Sequence, residues 1–201
     1  MKSTRSEMIK PAIAFALNAT LRDSEIRTLI WERINFLKGI ITVGRSKTAA
    51  GTGRTIPINS ELREILEGYR AWYENKIGPA KPESHVFPYG KNRPWVTSRP
   101  VSSFKTAWEN VRERAGVKAR FHDLRYFFAS VLIENGESAK YVQDQVGHAS
   151  ITATFDTYGH LMPQAKQQAT KRLERSIFGK KANVRTLLEQ HATNGNQETV
   201  N

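Results

Sequence analysis

Residues 121–160 read FHDLRYFFASVLIENGESAKYVQDQVGHASITATFDTYGH, and the punctuation of this stretch sets the fold around it. A helix is predicted from His122 to Asn135, stopped at Gly136, where glycine tolerates the left-handed backbone that ends helices. Ser138 then caps a helix over Ala139 to Val146, and Ser150 caps another from Ile151 to about Tyr158. Residues three apart share a helical face, so His122 and Arg125 should point an imidazole and a guanidinium into one site. Taken alone, His-x-x-Arg reads more readily as a solvated surface pair. The context shifts that weighting, because Val146-Gly147-His148 follows the Gly136 break and Tyr158 lies ten positions beyond His148.

Working outward toward the carboxy terminus, a last helix is expected over roughly Pro163 to Phe178. Residues 179–201 read as a partly disordered tail with Val184 to Leu188 its only apolar turn. Toward the amino terminus, helices are predicted for Pro11 to Leu21, Asp23 to Trp31, Asn59 to Gly78 and Val101 to Ala115. Three β-branched runs, Arg33 to Leu37, Ile40 to Val43 and Arg54 to Ile58, predict a three-stranded antiparallel sheet whose Ala49 to Gly53 tip should be flexible. Pro79 to Pro100 reads as a surface loop around one short strand at Val86-Phe87. The fold class is therefore α+β, mainly helical, with one domain over residues 1–178.

With 201 residues and 39% hydrophobic content, the chain can bury one respectable core. Its 31 Lys and Arg against 19 Asp and Glu give a formal charge of +12, which favours a polyanionic partner, nucleic acid first. Mean hydropathy of −0.54 and the lack of a long apolar run argue against a membrane span, and no signal-peptide pattern opens the sequence, so a cytoplasmic, DNA-associated protein is expected. The absence of cysteine excludes disulfides, thiolate zinc sites and cysteine nucleophiles. The five histidines lack the spacing of a helical zinc site, so neither a metal nor another cofactor is expected.

In such a chain phosphate chemistry would fall to arginines for the oxygens, a Lys or His for protons, and a hydroxyl nucleophile. The run from Phe121 to His160 closely resembles the signature of the tyrosine recombinase and phage integrase family: His-x-x-Arg, then Leu/Val-Gly-His, then a tyrosine about ten positions on. Upstream, ATLRDSEIRTLIW resembles the family's first box, an arginine just before a Ser-Glu helix start, and Lys47 falls in the β-hairpin where the family carries its lysine. The resemblance runs from about Asn18 to Pro163 and implies the tyrosine recombinase catalytic fold.

It further implies that Arg22 and Arg125 bind the phosphate, with His122 and His148 as companion histidines. Tyr158 would be the nucleophile, Lys47 the general acid on the leaving 5′-oxygen, and Glu25 the acidic support residue. Two permanently charged guanidinium forks can neutralise charge that develops on a phosphate, so no magnesium would be required. The implied activity is site-specific DNA recombination, phage or prophage integration or excision, through a 3′-phosphotyrosyl intermediate. Implied partners are double-stranded DNA attachment sites and further copies of the protein in a tetrameric synapse, between which the resemblance implies that the 179–201 tail is exchanged through Val184, Leu187 and Leu188. Arg45, Lys91, Arg93 and Arg99 are candidate phosphate contacts without base readout. Two rivals stay open: type IB topoisomerase-like relaxation, and a catalytically silent DNA-binding prophage remnant. Thr20 departs from the family's glycine before the first arginine, which puts the backbone near Arg22 in question, and Tyr126 stands where many relatives have histidine. The family's amino-terminal DNA-binding domains are expected to be missing from this sequence.

Overall fold

The computed structural model describes residues 5–90, 94–159 and 170–175. The chain runs α1 (Arg5–Ala19), α2 (Asp23–Arg27), β1 (Ile34–Asn35), β2 (Ile40–Thr42), β3 (Thr55–Pro57), α3 (Ser60–Lys76), β4 (Pro88–Tyr89), β5 (Val96–Pro100), α4 (Lys105–Ala115), α5 (Asp123–Glu134), α6 (Ala139–Val146) and α7 (Ile151–Tyr158). The first three strands form one antiparallel sheet in sequence order, with Ile41 opposite both Ile34 and Ile56. All three isoleucines are buried, so the register is set by keeping one apolar face inward.

Helix α1 packs against α3, α4 and α5 and sends Ala12, Phe15, Ala16 and Ala19 into the main core. Around Phe15 an aromatic cluster forms: Phe87 meets it edge-on at 6.0 Å, Phe104 meets Phe87 at 5.2 Å, and Tyr69 stacks on Phe87 at 5.5 Å. Truncating Phe15 or Phe87 to alanine would cost about 3–5 kcal/mol on general cavity grounds. A second, smaller core of Ala129, Ile133, Val142, Val146 and Tyr158 joins α5, α6 and α7.

The capped helices fall where their local chemistry puts them. Asn59, Ser138 and Ser150 each accept the amide two or three residues into the following helix, and Gly116 and Gly147 end α4 and α6 with φ of 66° and 64°. Elsewhere long-range pairing displaces the sequence-based boundaries. Helix α1 begins at Arg5 rather than Pro11, because burial of Met8 and Ile9 outweighs the amide donor that Pro11 removes inside the helix. Helix α2 stops at Arg27 instead of reaching Trp31. Leu29 to Trp31 are drawn into β-like pairing with residues 84–86, through Trp31 N–H to Ser84 C=O at 3.1 Å and Val86 N–H to Leu29 C=O at 2.8 Å. Val86-Phe87 is a buried connector and not a strand; the strands β4 and β5 form a second antiparallel pair that the five prolines of this region had concealed. That pairing continues through Val101 N–H to Phe87 C=O, so α4 starts only at Lys105. Of the helix expected over 163–178, residues 170–175 are helical and the rest lies outside the described residues, as does the 179–201 tail.

Candidate active site

Arg22 immediately precedes α2, whose first turn it closes: its backbone N–H donates to Glu25 Oε2 at 2.9 Å, and its Nη1 donates to Glu25 Oε1 at 2.9 Å. Its other guanidinium nitrogen reaches across to the Gly147 carbonyl at 3.2 Å. Arg125, on the first turn of α5, is almost completely buried and donates to the carbonyls of Thr20 and Val146. Both arginines are thus held against the end of α6, Arg22 through the Gly147 carbonyl and Arg125 through that of Val146. Together with Lys47, His122, His148 and Tyr158 they line one open cleft of about 560 Å³. All six catalytic candidates named from the sequence are brought together, and Glu25 lies beneath Arg22.

Helix α7 supplies Tyr158 from its last turn, and the Gly147 turn supplies His148. Their rings lie parallel, 8° apart with centroids at 5.9 Å, and His148 Nδ1 is 3.1 Å from Thr154 Oγ1. Tyr126 packs against Tyr158 with ring centroids 5.1 Å apart and planes tilted by 46°. Position 126 therefore bears on the packing of the tyrosine.

Burial, reinforced by the charges of Arg125, Arg22 and Arg54, pushes the His148 pKa down to about 4. Burial also lowers His122, with the Arg125 charge next in weight and Asp123 opposing. Both imidazoles are consequently neutral at pH 7 and able to accept a proton. Burial raises the Tyr158 phenol while the Arg125 and Arg22 charges pull it back. Arg125 is pressed down to about 9 by burial and the neighbouring Arg22 and Arg54, which leaves it cationic at neutral pH. The cleft thus combines cations, neutral imidazoles and the phenol of a buried tyrosine: a seat for an anion beside a hydroxyl.

Sequence reasoning missed the groups that hold this arrangement. Arg54 presents both Nη atoms to the Glu25 carboxylate at 3.0 and 2.8 Å, and donates through Nε to the Gln145 carbonyl at 3.1 Å. Ser46 Oγ donates to Glu25, and Thr48 Oγ1 donates to the Gly147 carbonyl at 2.9 Å. No local signal marks these residues, since every contact joins segments 21 to 99 positions apart in the chain. The hairpin tip is also not the free loop expected: Ala49–Gly51 forms a turn, Gly51 is buried, and the tip rests on the Gly147 backbone. Thr20 adopts φ of 47°, the left-handed conformation for which glycine is suited; its hydroxyl donates to the Gln145 carbonyl at 2.7 Å. Among the proposed phosphate contacts, Arg45 and Arg99 are exposed, with Arg99 over the Tyr89 ring at 4.7 Å, while Lys91 and Arg93 lie outside the described residues. Among the described residues no cluster of His, Asp and Glu could hold a metal ion, and no helix is long and apolar enough to cross a membrane.

Residues 1–165 match the model of the phage integrase family, and the chain belongs to that family. It is 28% identical over 174 residues to the integrase of Salmonella phage P22, covering 86% of this chain and 44% of that protein. It is 32% identical over 165 residues to the tyrosine recombinase XerA of Pyrococcus furiosus, covering 79% of this chain and 53% of the relative. The chain spans about half the length of these curated relatives. Among solved structures, the catalytic domain of bacteriophage HP1 integrase superposes with a TM-score of 0.55 at 22% identity, covering 90% of this chain and 89% of that one. XerA recombinase gives 0.61 at 21% identity, covering 86% and 64%. The fold is that of the tyrosine recombinase catalytic domains.

Proposed function

We propose that this chain is the catalytic domain of a site-specific tyrosine recombinase that cuts and rejoins duplex DNA at attachment sites, as in phage or prophage integration and excision. The observation that supports it is the convergence of Arg22, Lys47, His122, Arg125, His148 and Tyr158 on one cleft. Arg22 and Arg125 bind the non-bridging oxygens of the scissile phosphate and neutralise the charge that builds there. Tyr158 Oη attacks phosphorus in line, forming a P–O bond as the bond to the 5′-oxygen breaks. Lys47 gives its proton to that oxygen, and a neutral imidazole, His148 or His122, accepts the phenol proton. The 3′-phosphotyrosyl bond conserves the energy of the phosphodiester, and attack by the 5′-hydroxyl of a partner strand reverses the step. Each cleft cuts one strand, so exchange between two duplexes calls for a tetrameric synapse, one copy per strand. The formal charge of +12 suits this DNA-associated, cytoplasmic work, with Arg45, Lys91, Arg93 and Arg99 meeting phosphates. The catalysis falls to the domain expected over residues 1–178.

The test uses a library of nicked duplexes with randomised half-sites, in which a short released fragment leaves the cleaved strand trapped on protein. Expected is an SDS-resistant adduct with the wild-type chain and none with Tyr158→Phe. An adduct that persists in Tyr158→Phe, or none from the entire library with the wild type, overturns the reading. Transfer of the trapped strand to a new 5′-hydroxyl duplex, and not relaxation alone, separates recombination from topoisomerase-like action.

A further inference from the structure

We propose that Arg54 is the positioning residue for Lys47, holding the hairpin of residues 43–54 closed over the cleft before DNA arrives. The inference rests on the proton-donor role of Lys47 set out above. Lys47 itself is exposed, but both of its neighbours are tied down: Ser46 Oγ to Glu25 and Thr48 Oγ1 to the Gly147 carbonyl. Those two anchors meet at Arg54. Its side chain is only 6% exposed and donates at once to Glu25, to the tip carbonyl of Gly51 at 2.8 Å, and to Gln145, two residues before Gly147. The backbone closes the same hairpin beside it, with Val43 N–H to Arg54 C=O and Gly53 N–H to Val43 C=O, both at 2.9 Å. One guanidinium therefore links hairpin base, hairpin tip, the carboxylate under Arg22, and the end of α6.

The packing leaves the tip little room to leave this position. A Cβ added to Gly147 would stand 2.9 Å from the Gly51 Cα and 3.1 Å from Arg54, so the glycine-to-glycine approach is part of the latch. A Gly/Ala/Thr-rich tip would otherwise sample many positions, and each productive placement of Lys47 would carry an ordering cost. Only a planar fork with five donors can serve three acceptor groups in fixed directions; a lysine at position 54 would keep a charge beside Glu25 but release Gly51 or Gln145.

The test compares the wild type, Arg54→Lys and Lys47→Ala on the selected nicked duplex, made either with the natural 5′-oxygen or with a 5′-bridging sulfur at the scissile phosphate. The sulfur departs as a thiolate with the bonding electron pair and needs no proton, so only defects in proton donation are rescued by it. Expected for Arg54→Lys is cleavage of the oxygen duplex slowed by roughly 10- to 100-fold, the cost of a catalytic group displaced by an ångström or so, and near wild-type cleavage of the sulfur duplex. Lys47→Ala should show the same rescue. In the DNA-free protein, amide exchange at Gly51 to Gly53 should speed up in Arg54→Lys. Equal losses on both duplexes, no loss on either, or unchanged exchange overturns the assignment of Arg54 while the recombinase reading stands. No adduct with the wild type on either duplex, or Lys47→Ala left unrescued by sulfur, defeats the cleavage scheme itself and this inference with it.

Discussion

Glu25 is the residue on which the two arms of the cleft meet, and its titration gives that meeting a magnitude. Burial by itself raises its pKa, but hydrogen bonds and charge from Arg54, then Ser46 and the Arg22 amide, more than offset it and hold the carboxyl at about 2. A folded-state value below the unfolded 4.5 means the contribution is present above pH 4.5 and is lost as pH falls toward 2. At about 1.4 kcal/mol per unit, the difference is on the order of 3 kcal/mol at pH 7. Glu25→Gln should lose about that much in a denaturant titration at pH 7, and the gap from wild type should shrink at pH 3; a gap equal at both pH values would contradict it. The role of Glu25 was legible only through its family box, whereas Arg54 was not legible at all. An arginine opening a β-strand carries no local mark of a carboxylate that sits 29 positions earlier.

At the scale of elements, legibility followed the range of the forces. Helix α6 begins and ends where Ser138 and Gly147 place it, and α7 begins where Ser150 does, because a cap is satisfied within its own turn. The early end of α2 and the β4–β5 pair were hidden, since their hydrogen-bond partners lie in distant segments. Gly147 joins both regimes: its φ of 64° ends α6, its carbonyl receives Arg22 and Thr48, and its bare Cα admits the hairpin. Gly147→Ala should therefore strain the backbone by about 1 kcal/mol or more and push the hairpin away, slowing cleavage at least about tenfold in a single-turnover assay. A variant that cleaves at the wild-type rate would mean that the close approach is immaterial.

For the whole molecule, the cleft lies at the seam of the two hydrophobic cores. The large core carries the α1–α2 turn and the hairpin; the small one carries α5, α6, α7 and Tyr158. Arg22, Arg54 and Arg125 each bridge that seam with hydrogen bonds to the carbonyls of Thr20, Gln145, Val146 or Gly147. The basic charge and the family were plain in the sequence; the seam was not, because it exists only once both cores have formed. The most direct measurement is peptide mapping by mass spectrometry of the protein–DNA adduct trapped on the nicked duplex. Expected is a nucleotide 3′-phosphate on Tyr158, whereas attachment to Tyr126, whose ring lies 5.1 Å away, or to any other side chain would contradict the proposed chemistry.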